Sequence, residues 1–141
     1  MATAAKFETA PTWHARRVMT CNGQADTNLK TGEEYRTIAL ACLWEMEPAH
    51  EDKDSSPAFI PSSYCGHDAR VFAVQRQHGR YVALAADLDK GDHALEHVAA
   101  LVEKFAGGAA WLIYSSPHAR PADRRWRIVI PLADELPYAA W

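Results

Sequence analysis

A chain of 141 residues, 48% apolar and 23% charged, with a net charge of −3, has the composition of one ordinary soluble domain with a modest core. No apolar run is long enough to span a bilayer and no signal peptide is present, so the chain is expected to be cytoplasmic with no membrane partner. Three cysteines without CxxC spacing exclude a disulfide framework and a zinc ribbon, and the slightly acidic balance excludes a bulk nucleic-acid binder, although Arg120, Arg124, Arg125 and Arg127 make one local basic patch.

Residues 1–12 are small and polar and read as a loose leader. Residues 13–19 have the content of a short strand with basic edges, where Arg16 and Arg17 face either solvent or a ligand. Residues 21–30 are turn-rich. Thr31-Gly32-Glu33-Glu34 matches a capping box, which predicts a helix over 35–46 with apolar positions at helical spacing. Residues 47–57, EPAHEDKDSSP, are polar and proline-bounded, hence an exposed loop. Residues 58–66 read as extended and irregular, with Cys65-Gly66-His67 as a turn. Residues 68–79 admit two readings: a helix capped by Asp68 that runs through Gln77 and stops at Gly79, or a strand over 70–74.

The second half is more regular. Residues 81–88, YVALAADL, form a buried strand that ends in Asp87-Leu88-Asp89. Asp92 then caps an amphipathic helix over 93–105, with Leu95, Val98, Leu101, Val102 and Phe105 on its buried stripe and Gly107-Gly108 ending it. Residues 109–115, AAWLIYS, make a second buried strand. Strand, helix and strand with short joints predict a right-handed βαβ unit with parallel strands. A polar loop over 116–123 leads into RWRIVIPL, residues 125–132, an antiparallel third strand. The closing PYAAW reads as the opening of a further element, so the single domain over 1–141 is expected to be incomplete at its C-terminus. The fold class expected is α+β: a mixed β-sheet with a βαββ unit and helices packed on the sheet.

Asp87 and Asp89, two apart on a strand, project from one face about 7 Å apart, while Leu88 turns to the other. Such a pair repels itself unless a cation lies between, and hard carboxylate oxygens suit Mg²⁺ or Mn²⁺, the ions of phosphate chemistry. In an open α/β sheet, ligands gather beyond the carboxyl ends of the strands, where Ser116-Pro117-His118 also falls. A hydroxyl and an imidazole there can hold phosphate oxygens, and Arg125 or Arg127 can add a bidentate clamp.

The order DLD, helix, apolar strand, S-x-H, then an R-W-R-hydrophobic-P-L strand resembles the archaeo-eukaryotic primase superfamily. It is similar in particular to the primase-polymerase proteins of phages, prophages and plasmids. The resemblance covers about residues 58–132. It implies that Asp87 and Asp89 are the catalytic, metal-binding acidic pair of the first motif, with Mg²⁺ or Mn²⁺ as cofactor. It implies equally that Ser116 and His118 contact the phosphates of the incoming nucleotide, with Arg127 gripping the triphosphate beside them. Arg124, Arg16 and Arg17 are then candidates for template contacts. A ferredoxin- or RRM-like sheet is also implied, with nucleoside triphosphates, a single-stranded or primed nucleic-acid template and a replicative helicase as partners. The activity implied is metal-dependent nucleotidyl transfer, DNA primase or polymerase chemistry in phage or plasmid replication. The family's third motif is an aspartate on a later strand, and Asp134 and Glu135 stand too close to RWRIVIPL to replace it.

Two other readings differ in class. The chain is alternatively a non-catalytic, truncated primase-like module that binds nucleic acid or a partner, or a metal-dependent nucleotide phosphohydrolase. His93-Ala94-Leu95-Glu96-His97 spells the inverted zinc-protease pattern, but the helix needs Val98, Leu101 and Val102 for packing and there is no room downstream for a distant third ligand on another helix. The absence of GxxxxGK excludes a P-loop nucleotidase.

Overall fold

The computed structural model describes residues 3–7, 12–23, 28–47 and 55–141. The rest of the expected leader, of the turn-rich segment and of the polar loop lies outside the described residues. In chain order these residues form β1 (Thr3–Lys6), β2 (Arg17–Asn22), α1 (Asn28–Thr31), β3 (Arg36–Ala39), α2 (Cys42–Glu45), β4 (Pro57–Ile60), α3 (Phe72–His78), β5 (Arg80–Leu88), α4 (Leu95–Ala106), β6 (Trp111–Ser115), β7 (Trp126–Pro137) and a closing 3-10 turn, η1 (Tyr138–Ala140). No helix among them is long and apolar enough to cross a membrane.

The architecture is α+β, with two antiparallel sheets. One sheet has the order β1-β6-β7-β5 and the other β3-β2-β4. Alternation along β6 and β7 explains how the larger sheet is covered on both sides. Trp111 and Ile113 face α4 with Trp126 and Ile130 of β7, and Val98 and Val102 of the helix close that core. Leu112 and Val129 point the other way, into a core shared with Val18, Leu40 and Leu43 from the smaller sheet and its flanking turns. Helix α2 sits at this second junction, where Trp44 Nε1 reaches the carbonyls of Lys6 and Trp111, both at 3.2 Å.

Several expectations are corrected. Strands β5 and β6 are not neighbours: β7 lies between them and is antiparallel to both, so they run parallel one strand apart and the sheet is not mixed between hydrogen-bonded neighbours. The expected helix over 35–46 is instead β3 followed by the single-turn α2. Pairing of Arg36 to Ala39 with β2 outweighs local helical spacing, and Thr31, expected to cap that helix, instead ends α1. Part of the leader is ordered as β1, whose four residues pair with Trp111 to Tyr114 on the edge of the larger sheet. Residues 57–60, placed partly in the loop, form β4 against β2.

In the 68–79 region the helix holds and the strand does not. Asp68 does not cap it: α3 begins after Val71, and the Asp68 carboxylate accepts the Tyr64 hydroxyl at 2.9 Å. Asp92 likewise does not cap α4, whose N-cap is Ala94 without a side-chain bond. Gly107 ends α4 in the left-handed conformation, φ 61°, that glycine adopts without strain. The buried stripe of α4 is narrower than its sequence suggests. Val98 and Val102 are buried, whereas Leu101 is 55% and Phe105 75% exposed, lining an apolar groove of about 520 Å³ beside Leu84, Leu88 and Ile128. The closing PYAAW folds back: the Trp141 ring stacks on Tyr81 at 4.2 Å and its Nε1 donates to the Ala83 carbonyl at 2.9 Å.

Candidate functional site

The C-terminal ends of β5 and β6 and the N-terminal end of β7 meet at one end of the larger sheet. The register sets Asp87 opposite Arg127 and Arg127 opposite Tyr114, so these three side chains form one cross-strand row. The next row is Leu88, Trp126 and Ser115, facing α4. Asp87 Oδ1 lies 3.1 Å from Arg127 Nε, with both side chains partly solvent-exposed. Tyr114 stands beside them. Burial pushes its phenol above the ordinary tyrosine range, the Arg127 guanidinium opposes that shift, and the Asp87 carboxylate adds to it.

Asp89 lies just past the end of β5, exposed, in the bend that continues through Lys90 and Gly91. Gly91 makes that bend with φ 80°, and a side chain there would run into the His93 ring. The Asp89 charge reaches Arg125, whose guanidinium is raised first by its bonds to Asp123 and further by Asp89. Asp92 closes the bend. Its carboxylate accepts the Arg124 backbone N–H at 3.1 Å and the guanidinium at 2.7 and 3.0 Å, and these bonds hold its pKa below the ordinary aspartate value.

Ser116 follows β6 in a turn whose geometry comes from two backbone bonds, Ser116 N–H to the Arg125 carbonyl at 2.9 Å and Ala119 N–H to the Ser116 carbonyl at 3.0 Å. Ser116 is buried and His118 is exposed at the turn. Neighbouring Ser115 carries a buried hydroxyl with no hydrogen-bond partner among the described residues. The sheet therefore brings Asp87, Asp89, Ser116, His118 and Arg127 to one end.

The remaining arginines have other partners. Arg124 is bound to Asp92, Arg125 pairs with Asp123 at 2.8 Å, and Arg127 pairs with Asp87, so most of the expected basic patch is neutralised within the fold. Arg16 donates to the carbonyls of Leu132 and Ala133, which lie about 17 Å or more along β7 from Arg127 at the strand rise. Arg17 bonds Thr37 on β3. These bonds go to Leu132, Ala133 and Thr37 rather than to Asp87 or Asp89.

A cleft of about 760 Å³ opens between the two sheets beside this end, walled by Tyr114, Pro117 and Arg127 on one side and by Tyr35, Arg36 and Phe59 on the other. Sequence reasoning missed the second wall because it assigned residues 35–46 to a helix. It could have found Tyr114, which alternates with Ser115 on a strand already placed at the site.

The donor chemistry suits a divalent cation in one respect: Asp87 and Asp89 are two hard-oxygen carboxylates at one accessible strand end. Among the described residues no group of three or more His, Cys, Asp or Glu side chains is gathered as a metal site. Neither a family model nor a curated protein nor a solved structure matches this chain.

Proposed function

We propose that this chain is a metal-dependent nucleotidyl transferase of the primase-polymerase type, acting in phage or plasmid DNA replication. The observation that carries the reading is the convergence of Asp87, Asp89, Ser116, His118 and Arg127 at one end of one sheet, from three strands, beside a cleft that opens to solvent. On this reading the run β5–α4–β6–β7 is a βαββ unit of ferredoxin- or RRM-like type. Asp87 and Asp89 would hold Mg²⁺ or Mn²⁺, which when bound neutralises charge on the transferring phosphoryl group. The chain's own residues do the rest. Ser116 and His118 donate hydrogen bonds to phosphate oxygens. Arg127, now paired with Asp87, would turn part of its guanidinium fork to the triphosphate. The template is single-stranded or primed nucleic acid, and a replicative helicase is the expected partner.

The test is calorimetric titration of the chain with a nucleoside triphosphate and Mn²⁺, beside Asp87→Asn, followed by addition of a primed template. Saturable binding that requires both the ion and Asp87, with template extension, is the expected result. Binding that survives Asp87→Asn would refute the site.

A second reading has its own observation. The Asp87 carboxylate already has a guanidinium partner and, among the described residues, no group of three or more acidic, His or Cys side chains is gathered there as a metal site, which favours a non-catalytic module that binds nucleic acid or a partner without turnover. Nucleotide binding without extension would select it. Release of inorganic phosphate without a template would select a phosphohydrolase instead.

A further inference from the structure

At the end of the larger sheet away from the aspartates, α3 and η1 bring rings and a cation together. Arg76 lies 4.9 Å from the Tyr138 ring centroid and 5.8 Å from that of Phe72. Phe72 and Tyr138 meet edge to face at 5.9 Å. Behind them Tyr81 and Trp141 are stacked, and Trp141 is fastened to β5 by its bond to Ala83. Tyr81 and Asp87 lie six positions apart on β5, about 20 Å at the strand rise, so this cluster is remote from the candidate site.

Two features of the cluster point to a ligand. Phe72 is 64% exposed although it touches both Tyr138 and Arg76. Among the described residues Arg76 forms no ion pair, and α3 carries Arg76 and His78 in its last turn with no acid in its first. Arg80 follows directly and shares its charge with Glu135 only at 4.0 Å. An apolar protein surface docking here would bury the unpaired Arg76 charge at considerable cost. A chain of flat rings joined by phosphates meets both demands: bases stack on exposed aromatic and guanidinium planes, and phosphate answers the cation.

We infer that Phe72, Arg76 and Tyr138 form a stacking platform for single-stranded nucleic acid. The inference rests on the transferase reading for its purpose, since it would hold the strand outside the metal-bearing end, but its chemistry is independent of catalysis.

The test is fluorescence anisotropy of a short labelled oligothymidylate titrated with the full chain at low salt. The wild-type chain is expected to bind saturably. Phe72→Leu, which keeps apolar contact but removes the π face, should weaken binding by about tenfold, and Phe72→Trp should preserve it. Arg76→Gln should weaken binding and reduce the slope of log affinity against log salt by about 0.7. Absence of saturable binding, or equal affinity of the Phe72→Leu variant, would each overturn the platform. A Phe72→Leu change in sedimentation without a change in oligonucleotide affinity would also overturn it, in favour of a second copy of the chain on this surface. Failure of the transferase reading is seen separately, in the Mn²⁺–nucleotide titration.

Discussion

Replacing Ile113 and Leu101 by alanine, one at a time, measures how α4 lies on the sheet. Ile113 is fully buried in the middle of β6, in the core with Val98, Val102, Trp111 and Trp126. Truncating it removes three methylene-sized groups from a site walled by two tryptophans that cannot collapse easily, so the loss should be about 3–4 kcal/mol, in the upper part of the usual range. Leu101 is 55% exposed. It retains less than half of the roughly 1.5–3 kcal/mol that full burial provides, so its truncation should cost about 1 kcal/mol or less. With a urea slope of about 2 kcal/mol per molar, the Ile113→Ala midpoint should fall by about 1.5–2 M and that of Leu101→Ala by about 0.5 M at most. Urea melts followed by far-ultraviolet circular dichroism, with unchanged slopes, provide the comparison. Equal costs for the two variants would show that α4 is rolled so that Leu101 faces the sheet, and the assignment of its buried face would fail.

Arg124→Ala should make the protein less stable at neutral pH but less sensitive to acid than the wild type. The Arg124 bonds lower the folded pKa of Asp92, so their stabilisation is present above the ordinary carboxylate range and is lost as pH falls through the lowered value. Thermal melts should therefore separate wild type from variant at neutral pH and converge below about pH 4; a constant gap would refute the linkage. Glu103→Gln should destabilise β1, because Glu103 binds both Lys6 at 2.7 Å and the Trp111 indole at 2.6 Å, and amide exchange should rise first at Ala4 and Ala5. Protection that stays uniform would count against it. Tyr114→Phe should extend stability into alkali: burial raises the folded phenol pKa, so its contribution is present below about pH 10 and disappears as pH rises through the raised value. An unchanged alkaline limb would refute it.

The strands that form the candidate site were legible because their cores are continuous apolar runs bounded by clear stops, as in VALAADL before the Lys90-Gly91 bend and WLIYS after Gly107-Gly108. Those signals are local. Features that depended on distant pairing were not legible. TAAK has neither apolar alternation nor aromatic content, yet becomes β1 because the edge of β6 offers unpaired backbone groups. Tyr35, Ile38 and Leu40 suit a helix as well as a strand, and only β2 decides between them. The rule that joins successive strands through a helix predicted the direction of β5 and β6 correctly, but it could not show that a later strand would enter between them. The arginines were visible as charges and not as partners. Which carboxylate neutralises each depends on loops that meet only after folding.

Because β7 separates the two motif-bearing strands, it acts as the ruler of the candidate site. Asp87 and Ser116 have no hydrogen-bonded ladder between their strands, so their spacing and relative height depend on where β7 settles. A slip of β7 by one residue would send Arg127 to the α4 side and bring Trp126 toward the cleft, while both motifs kept their own strands. Chain-length changes in the 119–123 loop are thus absorbed upstream of the ruler. Deletion of Ile128 alone would invert it, and would disable the site without removing any residue that contacts a ligand.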